Sequence, residues 1–392
     1  MTALTMKTDK TKKPGKFRYI SLGDVHLGHR GTPATHIIKN LKRMLSDQVL
    51  KEIDMLIITG DLFDRQLQNG DDVVHSINRW ITELMWRCAA FNVMIRIVEG
   101  TPSHDREQSK FFTEQMENAR IPVDLYYTNK LEIRYEHKLD AYFLYVPDKW
   151  RPCTSITLSE VKGEMRILGL EQVDFAIMHG AFAYQLPAIV EEPTHDEAEY
   201  EALVKYQILI GHVHIMTVRG KIHAAGSTDR ICHGDEISKG MFDITVREDG
   251  KFTCTFIENT GAKRYDTLDV HGLDTKELNF KVKERVSQVP KGSAIRLRCD
   301  PHDVASGDIS YFTKEYPHIE WLLTIEKSTK KKNTVLESMR NFNMSEWVPI
   351  TKDNMVELVA IELHRQGHCE NTIDRCASRF NDMIKAMYNG SH

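Results

Sequence analysis

The chain has 392 residues, of which 41% are apolar and 28% are charged, and its net charge is −4. This length and balance favour a soluble globular protein of two or three folding units and exclude a uniformly basic nucleic-acid-binding surface. The apolar runs are too short for a membrane helix of roughly 18 residues, and seven scattered cysteines without a CxxC pair favour a reduced compartment.

The N-terminal half alternates short apolar runs with longer amphipathic stretches. Residues 1–16, rich in Lys and Thr, predict a disordered lead-in. After them, strands and helices are predicted in turn, which is typical of an α/β layered domain. The predicted strands are 17–26, 53–64 and 92–100, and the predicted helices are 35–52 and 72–91.

The next segments show the alternation of an antiparallel or mixed sheet, with a helix over 194–206 between two of its strands. The predicted strands are 130–137, 140–148, 173–180, 206–214, 221–227 and 240–258. We therefore expect a first domain over 17–262 and a small α+β domain over 272–327. A Lys-rich linker and a helical pair are expected over 328–392.

Side chains that can bind a metal follow the ends of five predicted strands. In an α/β layered fold, the carboxyl ends of neighbouring strands converge on one crevice, so the five loops are expected to meet. The Gly that precedes three of the ligand groups is expected to let the chain turn sharply. The candidate site residues are Asp24, His26, Asp61, His104, His179, His212 and His214, and Asp64 and Asp105 are further metal-competent side chains of the same loops.

The residue types indicate what kind of metal site this is. Mixed His and carboxylate donors suit Mn, Fe or Zn, and no Cys stands beside these loops to form a thiolate site. Each element also has a structural explanation: "GDLFD" alone could be a turn, and His179 alone could be a core histidine. Taken together in this order, the elements predict a two-metal site.

The ordered series GDVH, GDLFD, GTPSHD, HG and GHVH resembles the five motifs of the calcineurin-like metallophosphoesterase superfamily. Those motifs are D-x-H, G-D-x-x-D, G-N-H-[DE], H and G-H-x-H. Within the superfamily, the chain looks most like the SbcD-like DNA double-strand-break repair nucleases, phage recombination nucleases of this type included. "GDLFD" and the segment "AAGSTDRICHGDEISKGMFDITV" carry that closer likeness. It covers roughly residues 17–260; beyond about 270 only the layout is similar.

The resemblance implies a calcineurin-like four-layer α/β/β/α sandwich with a small capping domain and a C-terminal helical segment. It also implies two divalent ions, Mn²⁺ in this branch, with Mg²⁺ as an alternative. His104 would be the catalytic histidine near the scissile phosphate. The implied ligands are Asp24, His26 and His214 for the first ion, Asp61 as the bridge, and His179 and His212 for the second ion.

One position departs from the family pattern. Ser103 stands where the family has the Asn of G-N-H-D, a ligand of the second ion, and an extra Thr-Pro precedes it. A serine hydroxyl is a shorter and weaker oxygen donor than an amide carbonyl. The second ion is therefore expected to bind more loosely or to be completed by water.

The function implied by the resemblance is metal-dependent DNA exonuclease or endonuclease activity, in an SbcCD-like repair or recombination complex. The implied partners are DNA and an SbcC-like coiled-coil ATPase, with a homodimer inside a heterotetramer, and the implied location is the cytoplasm, or the host cytoplasm if the source is viral. Two alternatives stay open. One is a phosphatase or phosphodiesterase on non-DNA substrates, and the other is a weakly active scaffold for the ATPase.

Overall fold

The computed structural model describes residues 17–326, except 69, 149–152, 187–192, 248 and 308, together with four residues beyond 350. It divides the chain into two compact units, Met1–Ile325 and Glu326–His392. The expected lead-in over 1–16 and the Lys-rich linker lie outside the described residues. So does the expected helical pair, apart from Val356, Ala360, Ser378 and Arg379, whose backbone is helical.

Four parallel strands and their connecting helices form the first part of a six-stranded sheet. The first three strands are buried along nearly their whole length, as expected of strands covered on both faces. In their register, Tyr19 lies beside Met55, and Met55 lies beside Met94. The elements are β1 (Phe17–Leu22), α1 (Ala34–Met44), α2 (Asp47–Leu50), β2 (Met55–Ile58), α3 (Asp72–Ala90), β3 (Met94–Val98), α4 (Phe111–Asn118) and β4 (Leu125–Thr128).

The following strands form a second six-stranded sheet, which is mixed. Its elements are β5 (Glu132–Glu136), β6 (Ala141–Val146), α5 (Thr154–Leu168), β7 (Val173–His179), α6 (Glu197–Leu203), β8 (Val204–Gly211), β9 (Thr217–Arg219) and β10 (Ile222–Ala224). The strand order is β5-β6-β7-β8-β10-β9. Strands β6, β7, β8 and β10 are parallel, while β5 and β9 run antiparallel at the two edges.

A hairpin of β11 (Gly240–Val246) and β12 (Phe252–Glu258) returns to the first sheet. Strand β11 pairs antiparallel with β1, with Phe17 opposite Val246, and the sheet order is β12-β11-β1-β2-β3-β4. Grouping residues 240–258 with the second sheet was therefore wrong. Alternating apolar residues indicate that one face of a strand is buried, but they do not indicate which strand lies beside it.

Alternate side chains of the first sheet enter two different cores. Tyr19 points into an aromatic-rich core between the two sheets, where Phe143 and Phe175 of the second sheet also lie. Its neighbour Ile20 belongs to the core beneath α1, α3 and α4. A third core joins the outer face of the second sheet to α5 and α6. The layers of this mixed α/β unit therefore run helices, sheet, sheet, helices.

A small three-stranded parallel sheet follows within the same unit. It has its own apolar core beneath two helices. Its first strand begins before residue 272, where the small α+β domain was expected to start. Helix α7 begins with a capping box, in which the Asp274 side chain accepts from Glu277 N and the Glu277 side chain accepts from Asp274 N. The elements are β13 (Tyr265–Asp269), α7 (Thr275–Gln288), β14 (Ala294–Cys299), α8 (Ser310–Glu315) and β15 (Glu320–Ile325).

Two further observations concern the described part of the chain. No helix there combines the length and the apolar character that crossing a lipid bilayer demands. The five cysteines described are free thiols: Cys88, Cys153, Cys232, Cys254 and Cys299.

A buried ion pair lies next to the core between the sheets. Arg96 of β3 donates from Nε and Nη2 to the two carboxylate oxygens of Glu136, both at 2.7 Å. The side chains of Arg96 and Glu136 are only 1% and 4% exposed. Arg96 also donates to the backbone oxygens of Ile95 and Asp124. A buried charge pair is tolerated because its hydrogen bonds are satisfied, so removing one partner is costly.

Replacing Glu136 with Gln is expected to lower the free energy of unfolding by about 3 kcal/mol or more, because the Arg96 charge would lose its buried carboxylate. Urea denaturation followed by circular dichroism measures this. The control is Glu83→Gln, which breaks an ion pair with Lys42 in which both side chains are 41% exposed, and which is expected to cost about 1 kcal/mol or less. Equal losses for the two variants would contradict this account of Arg96.

Candidate metal centre

The carboxyl ends of the two sheets bring the ligand loops together. Asp24 and His26 follow β1, and Asp61 follows β2. His104 lies in the loop after β3, His179 is the last residue of β7, and His212 and His214 follow β8. All seven residues predicted from the sequence therefore come from strand ends. The structure brings them into three overlapping clusters, within each of which the donor atoms lie within 4.8 Å of one another.

The backbone turns at the ligands themselves. Asp24, His26 and Asp61 have φ angles of 48°, 54° and 47°, and His212 has 111°. Residues other than Gly rarely adopt positive φ, and such strain is concentrated at functional sites. The glycine before Asp24 has a different role from the expected turn. A Cβ on Gly23 would lie 2.2 Å from Thr59 Oγ1, so this glycine permits close approach of two loops.

The first cluster contains Asp24, His26 and His214. The Nε2 atoms of His26 and His214 are 2.9 Å apart. Asp24 Oδ1 accepts from the His212 backbone N at 2.8 Å, whereas Asp24 Oδ2 is buried without a hydrogen-bond partner. Burial raises the pKa of Asp24, and burial together with the nearby His26 lowers the pKa of His214 to about 3. An unpartnered carboxylate oxygen beside two facing imidazole nitrogens fits a divalent cation.

The second cluster contains Asp61, His179 and His212. His179 Nδ1 lies 2.6 Å from the Thr59 carbonyl oxygen. Because a carbonyl only accepts, Nδ1 carries a proton and His179 Nε2 faces Asp61 Oδ1 at 3.3 Å. Burial would lower the pKa of His179, but the Asp61 and Asp24 carboxylates outweigh it and raise that pKa to about 10. Without a metal, a proton therefore supplies the positive charge at this cluster.

Asp61 also takes part in the third cluster, with His26 and His104. Its Oδ2 accepts from His104 Nδ1 at 2.9 Å. Burial would raise the pKa of Asp61, but His179, His104 and His26 hold it well below its ordinary value. The hydrogen bond to Asp61 in turn raises the pKa of His104. The His104 side chain is 36% exposed, the Asp61 side chain 1%, so the imidazole lies on the open side of the centre.

Asp105 supports the loop and does not contact the His104 imidazole. Its Oδ1 accepts from Phe63 N and its Oδ2 from Gly100 N, both at 2.8 Å. Burial raises the pKa of Asp105 to about 8. Asp105 is therefore a support for the loop that carries His104.

Two residues outside the predicted ligand set lie at the centre. Asp64 Oδ1 is 3.2 Å from His26 Nδ1, and the motif GDLFD contains this aspartate. Thr101 Oγ1 lies 3.2 Å from Asp61 Oδ2. Ser103, by contrast, is exposed. The looser second site expected from Ser103 stays a prediction, and Thr101 is the residue of this loop whose hydroxyl lies beside Asp61. The position directly after Gly100 is the sequence signal that could have indicated Thr101.

Together the clusters can hold divalent metal ions. Every donor is a carboxylate oxygen or an imidazole nitrogen, and no Cys belongs to a cluster within the described residues. Such a donor set, rich in imidazole nitrogens, suits divalent first-row metals. The clusters share Asp61 and His26, so two ions held there would be close neighbours.

No family model matches the chain, and no curated protein matches it. Among solved structures, one crystal structure aligns with 62% of this chain and 99% of its own length. The sequence identity is 10% and the TM-score is 0.33. A TM-score at that level does not establish a common fold.

Metal binding at the second cluster is expected to release about one proton per chain at pH 7.5. His179, with a pKa of about 10 in the metal-free protein, must lose its Nε2 proton to become a ligand. The apparent affinity should therefore rise about tenfold per pH unit towards pH 10. Calorimetric Mn²⁺ titrations in two buffers of different ionisation enthalpy count the protons. A release of zero at pH 7.5 would show that His179 is already neutral.

Proposed function

We propose that this chain is a two-metal-dependent phosphodiesterase that hydrolyses DNA, the nuclease subunit of an SbcCD-like repair or recombination complex. The observation that carries the proposal is the position of Asp61, whose carboxylate belongs both to the cluster with His179 and His212 and to the cluster with His26 and His104. A carboxylate shared between two groups of imidazoles could hold two metal ions close together, as a two-metal hydrolase requires.

The fold proposed for residues 17–262 is the calcineurin-like four-layer α/β/β/α sandwich. Two six-stranded mixed sheets around a common core, with helices outside them, support it. The small sheet β13–β15 with α7 and α8 is proposed to cap the site and position DNA. This role rests on the resemblance of the motifs and on the layout of the chain.

The metal assignment follows the clusters. Two divalent ions, proposed to be Mn²⁺, would stabilise the charge on the phosphoryl group. They would also lower the pKa of water at the site, so that hydroxide is available as the nucleophile near neutral pH. Asp61 is proposed to contact both ions. The other proposed ligands are Asp24, His26 and His214 for the first ion and His179 and His212 for the second.

His104 is proposed as the catalytic residue that protonates the leaving oxygen of the phosphodiester. Its Nδ1 is fixed by Asp61, and its partly exposed ring can present Nε2 to a bound substrate. Because Asp61 raises the pKa of His104, the imidazole is a better reservoir of a proton near neutral pH than an isolated histidine. The proton passes from Nε2 to the leaving oxygen as the P–O bond breaks, and a solvent proton then restores the imidazolium.

The proposed partners are DNA and an SbcC-like coiled-coil ATPase that would bind the segment 328–392. A homodimer within a heterotetramer and a cytoplasmic location, the host cytoplasm if the source is viral, complete the proposal. These elements rest on the resemblance, since the segment lies almost entirely outside the described residues.

The test compares substrates. The purified chain is incubated with Mn²⁺ and linear duplex DNA, with and without the ATPase subunit, and separately with a chromogenic phosphodiester. Cleavage of DNA supports the proposal. Hydrolysis of the small ester without cleavage of DNA favours a phosphatase or phosphodiesterase, and binding of the ATPase without either hydrolysis favours a scaffold.

Replacing His104 with Ala is expected to reduce DNA cleavage by about 10²- to 10⁴-fold, the usual contribution of a general acid, while both ions still bind. Cleavage rates and Mn²⁺ content are measured on the same preparation. The control is His75→Ala, which changes an exposed histidine on α3. The role of His104 is wrong if the variant cuts DNA at the parent rate or loses both ions.

A further inference from the structure

Thr101 occupies a position that neither the motif series nor the proposed ligand set assigns. It directly follows Gly100, and its backbone N donates to Asp61 Oδ1 at 2.6 Å. This close approach requires glycine at the preceding position. A Cβ on Gly100 would lie 2.1 Å from the Asp61 backbone N and 2.3 Å from Asp61 Oδ1. The loop is therefore built to bring Thr101 against Asp61.

The Thr101 hydroxyl is nearly equidistant from three donor atoms of the second cluster. Oγ1 lies 3.2 Å from Asp61 Oδ2, 3.2 Å from His179 Nε2 and 3.3 Å from His212 Nδ1. Ligands that share one ion at about 2.0–2.2 Å are separated from each other by roughly 3–3.5 Å. The three distances are thus those between neighbouring ligands of a common ion.

In the metal-free protein this hydroxyl can form hydrogen bonds with its neighbours. Thr101 Oγ1 donates its one proton to Asp61 Oδ2 and can accept from a protonated imidazole. Its lone pairs, the lone pair of His179 Nε2 and the Asp61 carboxylate can instead all point at one cation. A structural role, in which the hydroxyl only holds the loop on Asp61, is the alternative that an experiment has to separate.

We propose that Thr101 is the fourth protein ligand of the Asp61–His179–His212 cluster, and that its hydroxyl makes this the weaker of two metal sites. The inference rests on the proposed two-metal function and adds which residue completes the second metal site. The first cluster has a carboxylate of its own, Asp24, whereas the second has only the shared Asp61. A neutral hydroxyl adds little to the negative charge of the second cluster. The second ion is therefore the one that dissociates first when the concentration of free metal falls.

The chain offers closely matched variants for the test. Thr101→Val removes the hydroxyl but keeps the shape of the side chain, and Thr101→Ser keeps the hydroxyl. Ser103→Ala removes the exposed hydroxyl two positions along the same loop. Thermal melting of the metal-free variants checks that each one folds like the parent.

The experiment is a Mn²⁺ titration of the full chain at fixed pH, in which electron paramagnetic resonance counts free Mn²⁺. We expect the parent protein to bind two ions, and the affinity of the weaker site to be at least about tenfold lower than that of the tighter site. Thr101→Val should weaken the weaker ion by about tenfold or more and leave the tighter ion unchanged. Thr101→Ser and Ser103→Ala should match the parent. Each of these results supports the proposal.

Three results would overturn the proposal: two ions of equal affinity in the parent, a Thr101→Val titration identical to that of the parent, or a loss of the weaker ion in Ser103→Ala. The titration uses no substrate. If DNA is not cleaved but the titrations behave as expected, the proposed nuclease function fails and the ligand assignment stands. If DNA is cleaved and Thr101→Val binds Mn²⁺ like the parent, the ligand assignment alone fails.

Discussion

The centre depends on the contacts that the Asp61 carboxylate makes. One oxygen accepts from the Thr101 backbone and faces His179, and the other accepts from His104. The backbone oxygen of Asp61 accepts from Val25 N and His26 N, which ties the loop after β2 to the loop after β1. One residue in a left-handed conformation thus connects loops from both sheets. The sheets supply the rigid platform that holds those loops in place.

The buried carboxylates of the centre favour a compensating positive charge beside them. Asp24 and Asp61 are each only 1% exposed, and a buried carboxylate is costly unless a positive charge or hydrogen bonds compensate it. In the metal-free protein a proton on His179 provides the compensating charge, while His214 stays neutral. The strained backbone at four ligands adds a cost of roughly 1–3 kcal/mol each. That arrangement persists because the surrounding cores fix the strand ends.

Local features of the sequence predicted much of this centre. Asp24, Asp61 and His212 each follow an apolar strand and a glycine. This pattern lies within a few residues of each side chain, so it can be recognised from the sequence alone. The path of a loop depends on distant contacts instead. When GTPSHD is aligned with the family pattern G-N-H-D from His104 towards the N-terminus, Ser103 takes the position of the Asn. In the fold, Thr101 lies at the cluster instead, because Gly100 packs against Asp61. The grouping of residues 240–258 with the later strands was wrong for the same reason, since the pairing of β11 with β1 is a long-range contact.

The most direct test of the shared carboxylate is the Mn²⁺ content of Asp61→Asn after equilibrium dialysis. The control is Asp243→Asn, which alters a mostly buried aspartate paired with Arg18 on the first sheet. A bridging role predicts that Asp61→Asn retains less than one ion per chain, while Asp243→Asn keeps the parent content of two. Two ions in a folded Asp61→Asn protein would contradict the account.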